Sequence, residues 1–172
     1  KMSCSSAFAP LINLPIGVES DKSQPPPETS KALVDALKDS GFLLIQTPLL
    51  TTDLQRESLK AATEYLENSG SSSVITHPTD PKLYTMLGSA EDCASASPVL
   101  AEYLQTMVTI KTAILRCIAA GLGLEPSYFT RLHNENNNSL RIIRYLAGTI
   151  ETGNRCREHS DYGTITLLST DG

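Results

Sequence analysis

No apolar run in this chain approaches the roughly 20 residues that a membrane-spanning helix needs, so no membrane role is expected. Nor is there a cluster of lysine and arginine able to follow a phosphate backbone. With 14 basic and 19 acidic side chains the formal net charge is −5, which argues against a general nucleic-acid binder and favours solubility. The stretch from Lys1 to Pro10 lacks the charged-then-apolar organisation of a secretory signal. Lys1 ahead of Met2 reads as a remnant, with Met2 the expected natural start. Cysteine is sparse: Cys4, Cys93, Cys117 and Cys156 lie far apart, with no tight pairing pattern. Without a secretion signal they read as free thiols in a reducing compartment, and the expected location is cytoplasmic. Histidine is scarcer still: His77, His133 and His159 are all there is.

What is present fits a soluble globular protein. The 172 residues suffice for one domain of ordinary size with a real core, at 40% hydrophobic and 19% charged content. Residues 10–18 alternate as a short strand does. A polar linker ending in Pro25-Pro26-Pro27 leads into a helix from Thr29 to Ser40, which Gly41 can close. Phe42 to Ile45 reads as a buried strand stopped by Thr47-Pro48. A second helix is expected from Thr52, with Gln55 as capping-box partner. Asn68 to Leu83, rich in serine, glycine and proline, reads as a long loop. The strongest helix starts at Ser97-Pro98 and carries Leu100, Tyr103, Leu104, Met107, Ile110, Ile114 and Ile118 in one stripe to Gly121; its Met and Tyr are expected in a core. At about 1.5 Å per residue it is a rod of roughly 36 Å, long enough to brace a β-barrel. A short helical turn around Ser127 to Leu132 follows, then a strand from Leu140 and a second from the Arg155 to Ser169 region. No internal repeat is visible.

The chemistry gathers at His159-Ser160-Asp161, which leads into Thr164-Ile165-Thr166-Leu167-Leu168. In a strand, residues i and i+2 project from one face, so an imidazole and a carboxylate set this way reach one ion without bending the backbone. Two histidines and one carboxylate with open positions mark non-haem iron(II) oxygenases. Two blander readings stand beside this one: a surface His–Asp pair at a strand edge, and a zinc half-site of Cys156 with His159, which lacks nearby groups to complete four ligands. Arg141, Arg144, Arg155 and Arg157 could hold an anion, or serve as a solvated strand edge.

The segment Arg157 to Leu168 resembles the iron-binding segment of the iron(II)/2-oxoglutarate-dependent dioxygenases, in particular the isopenicillin N synthase-like branch. Leu11 to Pro15, Ser40 to Ile45, the helix from Pro98 to Gly121 and Gly123 to Phe129 are also similar to that family's pattern, so the resemblance covers nearly the whole chain. It implies that His159 and Asp161 are iron ligands, and that Tyr145 lines the site and contacts 2-oxoglutarate or substrate. Where the family often has asparagine two residues before that tyrosine, this chain has Ile143. The resemblance further implies iron(II) and 2-oxoglutarate as cofactors, with dioxygen and a small organic molecule as reactants. In the reaction it implies, the 2-oxo acid is decarboxylated oxidatively while a substrate C–H bond is oxidised. The third iron-binding histidine and an Arg-x-Ser carboxylate anchor are expected beyond Gly172, and neither His77 nor His133 is assigned to iron.

The expected fold is α+β: an N-terminal helical region with the first strands over 1–138, packed on the start of a double-stranded β-helix, or jelly roll, over 139–172. The chain is expected to be the N-terminal portion of such an oxygenase. The alternative is a catalytically incomplete fragment or relic of that fold with at most weak metal binding. Because closing a jelly roll pairs early strands with late ones, the first strands are expected to lack partners.

Overall fold

Two parallel strands cannot be joined by a tight turn; they need a crossover, and α1 supplies it. In the computed structural model, β1 (Leu11–Asn13) pairs in parallel with β2 (Leu44–Gln46), Ile12 opposite Ile45, and α1 (Pro27–Asp39) lies between them in sequence. The structure describes residues 9–68, 74–76, 82–133, 137–145, 158–161 and 163–171. The chain divides into two compact units, residues 1–49 with 109–134 and residues 50–108 with 135–172, and the long helix α4 (Pro98–Gly121) contributes to both. No helix among the described residues is long and apolar enough to cross a membrane.

In the first unit, Pro27 opens α1 where an N–H would go unused, Glu28 sits in its first turn and Lys38 in its last, each matching the helix dipole. Leu33, Val34 and Ala36 are buried, and Gly41 leaves the helix at φ +76°. The later half of α4 is covered all round: Ala113, Ile114, Leu115, Arg116 and Cys117 are consecutive and buried. Gly121 is required by contact, since a Cβ there would stand 2.5 Å from the Ser30 carbonyl oxygen. α4 ends in a Schellman arrangement, Leu124 N–H to Ala119 O at 2.9 Å and Gly123 N–H to Ala120 O at 3.0 Å, with Gly123 at φ +75°.

Arg116 is the charged residue inside this unit. Its Nε donates to the Val18 carbonyl at 2.8 Å, one terminal nitrogen to the Ser23 carbonyl at 2.7 Å and the other to the Asp21 carboxylate at 2.5 Å. Asp21 is open to solvent, so its ion pair contributes little, and the buried bond to the Val18 carbonyl is the one best shielded from water.

The second unit holds α2 (Thr52–Asn68), β3 (Ile75–Thr76), β4 (Lys82–Leu87), α3 (Ala90–Ala96), the start of α4 and β5 (Leu140–Tyr145). β4 is the middle strand of an antiparallel sheet, β3-β4-β5. Alternation gives this sheet two faces. Thr85, Leu87 and Ile142 are buried on one of them, and Leu87 and Ile142 cluster with Leu66, Cys93, Leu100 and Leu104.

Several expectations are corrected here. The first strands do have partners, β1 with β2 and β5 with β4. The segment read as a long loop carries β3 and the first residues of β4, and α3 follows, capped by the Ser89 hydroxyl accepting from the Asp92 N–H at 3.0 Å. α2 begins at Thr52 as expected, but its cap is Thr51, whose hydroxyl accepts from Leu54 N–H at 3.1 Å, so Gln55 is not in the capping-box position. The strand expected at 164–168 does not form among the described residues, because the run finds no neighbouring strand to complete its hydrogen bonds. The chain is α+β, with four α-helices and two small sheets among the described residues, and no jelly roll is evident there.

Candidate metal centre

β5 positions Tyr145. Its register sets Tyr145 opposite Lys82, Ile143 opposite Tyr84 and Arg141 opposite Met86, all on the face away from Ile142. Tyr145 and Ile143 are partly exposed, and the Arg141 guanidinium lies 4.5 Å over the ring of Tyr84, a cation–π contact. Arg144 alternates to the other face and is bonded to Glu67 at 2.8 Å, so it is engaged structurally. Arg155 and Arg157 lie outside the described residues.

The described residues of this region, 158–161 and 163–171, have no regular structure. Within it, His159 Nε2 stands 3.3 Å from Asp161 Oδ1, and both side chains are about half exposed, at 57% and 52%. The other carboxylate oxygen, Oδ2, accepts from the Thr166 hydroxyl at 2.5 Å. Further on, Ser169 Oγ accepts from Gln55 Nε2 of α2 at 3.1 Å and is hydrogen-bonded to the buried Tyr103 of α4. The Gln55 amide is therefore bonded to Ser169 and is not the capping-box partner expected of it. Burial pushes the Tyr103 phenol above its ordinary pKa, and the Ser169 bond lowers it in part.

The donor pair suits a cation on chemical grounds. Two ligand atoms each about 2.1 Å from one ion and side by side lie roughly 3 Å apart, close to the separation of His159 Nε2 and Asp161 Oδ1. An imidazole nitrogen and a carboxylate oxygen are two of the three donors of the facial iron(II) set. No group of three or more His, Cys, Asp or Glu able to hold a metal occurs among the described residues.

The other candidates fall elsewhere. His133 closes a 3-10 turn (Thr130–Leu132), its Nδ1 2.6 Å from the Phe129 carbonyl oxygen. His77, Cys4 and Cys156 are outside the described residues, and with Cys156 goes the zinc half-site. Cys93 and Cys117 are buried free thiols, both pushed above the ordinary thiol pKa by burial; Asp92 adds to this for Cys93, while Ser30 and Arg116 oppose it for Cys117. Sequence reasoning missed Thr166 as a partner of Asp161, having read it only as a strand position. A hydroxyl five residues past a candidate carboxylate was the available signal.

No known protein-family model matches this chain. Individual relatives do. Over 85 residues, 47% of this chain and 24% of the relative, it is 33% identical to the 2-oxoglutarate-Fe(II) type oxidoreductase ppzD of Metarhizium rileyi (strain RCEF 4871). It is 32% identical over 84 residues, 47% of this chain and 26% of the relative, to the 2-oxoglutarate-dependent dioxygenase gloF of Glarea lozoyensis (strain ATCC 20868 / MF5171). With the proline hydroxylase buaE of Petromyces alliaceus the identity is 31% over 99 residues, 55% of this chain and 31% of the relative. The chain thus matches 24–31% of the length of these curated relatives. Over about half its length, then, this chain is related to the 2-oxoglutarate–iron(II) oxygenases, with no branch of them singled out.

Proposed function

We propose that this chain is the N-terminal portion of a non-haem iron(II)/2-oxoglutarate-dependent oxygenase of the isopenicillin N synthase-like branch, acting in the cytoplasm on a small organic substrate. His159 and Asp161 are its two iron ligands from this sequence. The observation that most supports the reading is the His159 Nε2 to Asp161 Oδ1 approach of 3.3 Å, in a chain related to such oxygenases. Iron(II), when bound with 2-oxoglutarate and dioxygen, supplies the oxidising chemistry. The residues have the remaining roles. His159 binds through Nε2, which requires its proton on Nδ1. Asp161 offers Oδ1 and brings the negative charge that holds a hard cation.

In this reading the face of β5 that carries Tyr145 looks onto the reactants. Tyr145 gives a phenol hydroxyl for 2-oxoglutarate or substrate, and Ile143 gives an apolar surface in place of an amide. Arg141, steadied on Tyr84, gives a cation for an anionic group. The functional division we propose sets residues 1–138 as the helical region with first strands and 139–172 as the start of a jelly-roll core.

A second reading is a catalytically incomplete form of the fold that binds metal weakly. Anaerobic titration with iron(II) separates these from the bland alternative of a surface His–Asp pair. Saturable uptake of one ion, lost in His159→Ala and in Asp161→Ala, is the expected outcome; uptake unchanged in both variants would sink both metal readings. Adding 2-oxoglutarate then divides the two that remain. A charge-transfer band lost in His159→Ala supports a competent centre, and iron uptake with no band supports the incomplete one.

A further inference from the structure

We propose that Thr166 is the positioning residue of the metal centre: its hydroxyl holds one oxygen of Asp161 so that the other is presented, beside His159, to a divalent cation. The inference rests on the reading of His159 and Asp161 as ligands and adds a third side chain to that site. Thr166 Oγ1 donates to Asp161 Oδ2 at 2.5 Å, while Oδ1 of the same carboxylate is the atom that stands 3.3 Å from His159 Nε2. The two oxygens therefore have separate tasks.

The need for such a bond follows from the local structure. The carboxylate torsion of an aspartate is broad, so an exposed Asp161 would sample many orientations and both one- and two-oxygen binding modes. Asp161 lies in a stretch without helix or strand, so no ladder steadies its backbone. The bond from Thr166 ties Asp161 to a side chain five positions on and occupies Oδ2. One oxygen, in one direction, is left for an ion. Carboxylate ligands are commonly held by hydrogen bonds of this kind, and losing one weakens metal affinity by about 10–100-fold.

Cobalt(II) titration of the 172-residue chain, followed by the visible absorption of the bound ion, tests this without turnover. Thr166→Val, which keeps the shape and removes the hydroxyl, is expected to weaken cobalt binding about 10–100-fold and to alter the absorption band. Thr166→Ser is expected to bring both back toward the parent protein, and thermal melts of the two variants are expected to coincide. His159→Ala serves as the reference. If it abolishes binding while Thr166→Val binds like the parent, the ligand reading stands and the role of Thr166 is overturned. A Thr166→Val defect that Thr166→Ser fails to restore also overturns it, since the side chain would then act by shape alone. Cobalt binding that is absent in the parent or unchanged in His159→Ala removes the ligand reading and the inference together.

Discussion

β5 and the run from Thr164 to Leu168 read alike in the sequence and behave differently in the structure. Both alternate. β5 pairs with β4 over six positions and buries Ile142 in the core of its unit. The later run keeps the alternation, with Ile165 and Leu167 half-buried between exposed Thr164, Thr166 and Leu168, yet forms no ladder among the described residues. Within it Thr166 is tied to Asp161, and just past it Ser169 is tied to Gln55 and Tyr103. Alternation specifies which face of a segment is apolar; it does not supply the neighbour whose backbone must complete the hydrogen bonds.

The sharpest way to test the contrast is Ile142→Ala. It empties a packed site in β5 and is expected to cost about 2–5 kcal/mol in urea unfolding. A cost near zero would mean that the β4–β5 pairing does not hold the unit. Next comes Ser169→Ala, which removes the tie of the later run to α2 and α4 and is expected to cost about 1 kcal/mol. The same change should raise the Tyr103 pKa further, since the Ser169 bond is what lowers it, and ultraviolet titration of the phenol reads this directly.

The sign of the pH dependence follows. Folded Tyr103 keeps its proton more firmly than unfolded tyrosine, so its contribution is complete below about pH 10 and is lost as pH rises toward the folded pKa. In Ser169→Ala the alkaline loss is expected to extend to higher pH. The smallest effect belongs to Leu168→Ala: with the side chain 80% exposed, a change within about 0.5 kcal/mol is expected. A large loss there would show that the run is packed as firmly as β5.

The helices were the most legible part of the fold. Pro27 and Gly41 bracket α1, and the stripe from Leu100 to Ile118 announced α4. β5 was legible because Leu140 to Tyr145 is a short run of branched and aromatic residues interspersed with arginines, following the turn-forming sequence Asn136-Asn137-Asn138. β4 was not: Thr85 takes a buried place while Met86 is exposed, so the apolar pattern is inverted at two adjacent positions, behind a segment rich in turn formers. α3 is short and carries one buried residue, Cys93, too little for any periodicity. For the candidate site, spacing left His159 and Asp161 open to a metal or a surface pair and the family resemblance favoured the metal; their closeness is what the structure adds. The contact of Thr166 with Asp161 had only a hydroxyl five residues on as its signal, and that of Ser169 with Gln55 had none, because contacts made by side chains outside regular structure follow no period.

The hidden guanidinium of Arg116 carries a consequence for the order in which the molecule is made. The carbonyls of Val18 and Ser23 receive their hydrogen bonds from a residue 98 and 93 positions further on. A ribosome adding about 5–20 residues per second exposes that early loop for several seconds before its clasp exists. Until then, water must fill the place of the arginine. The first unit is therefore finished late although it contains the first strand, and truncation before position 116 leaves its opening loop unfastened.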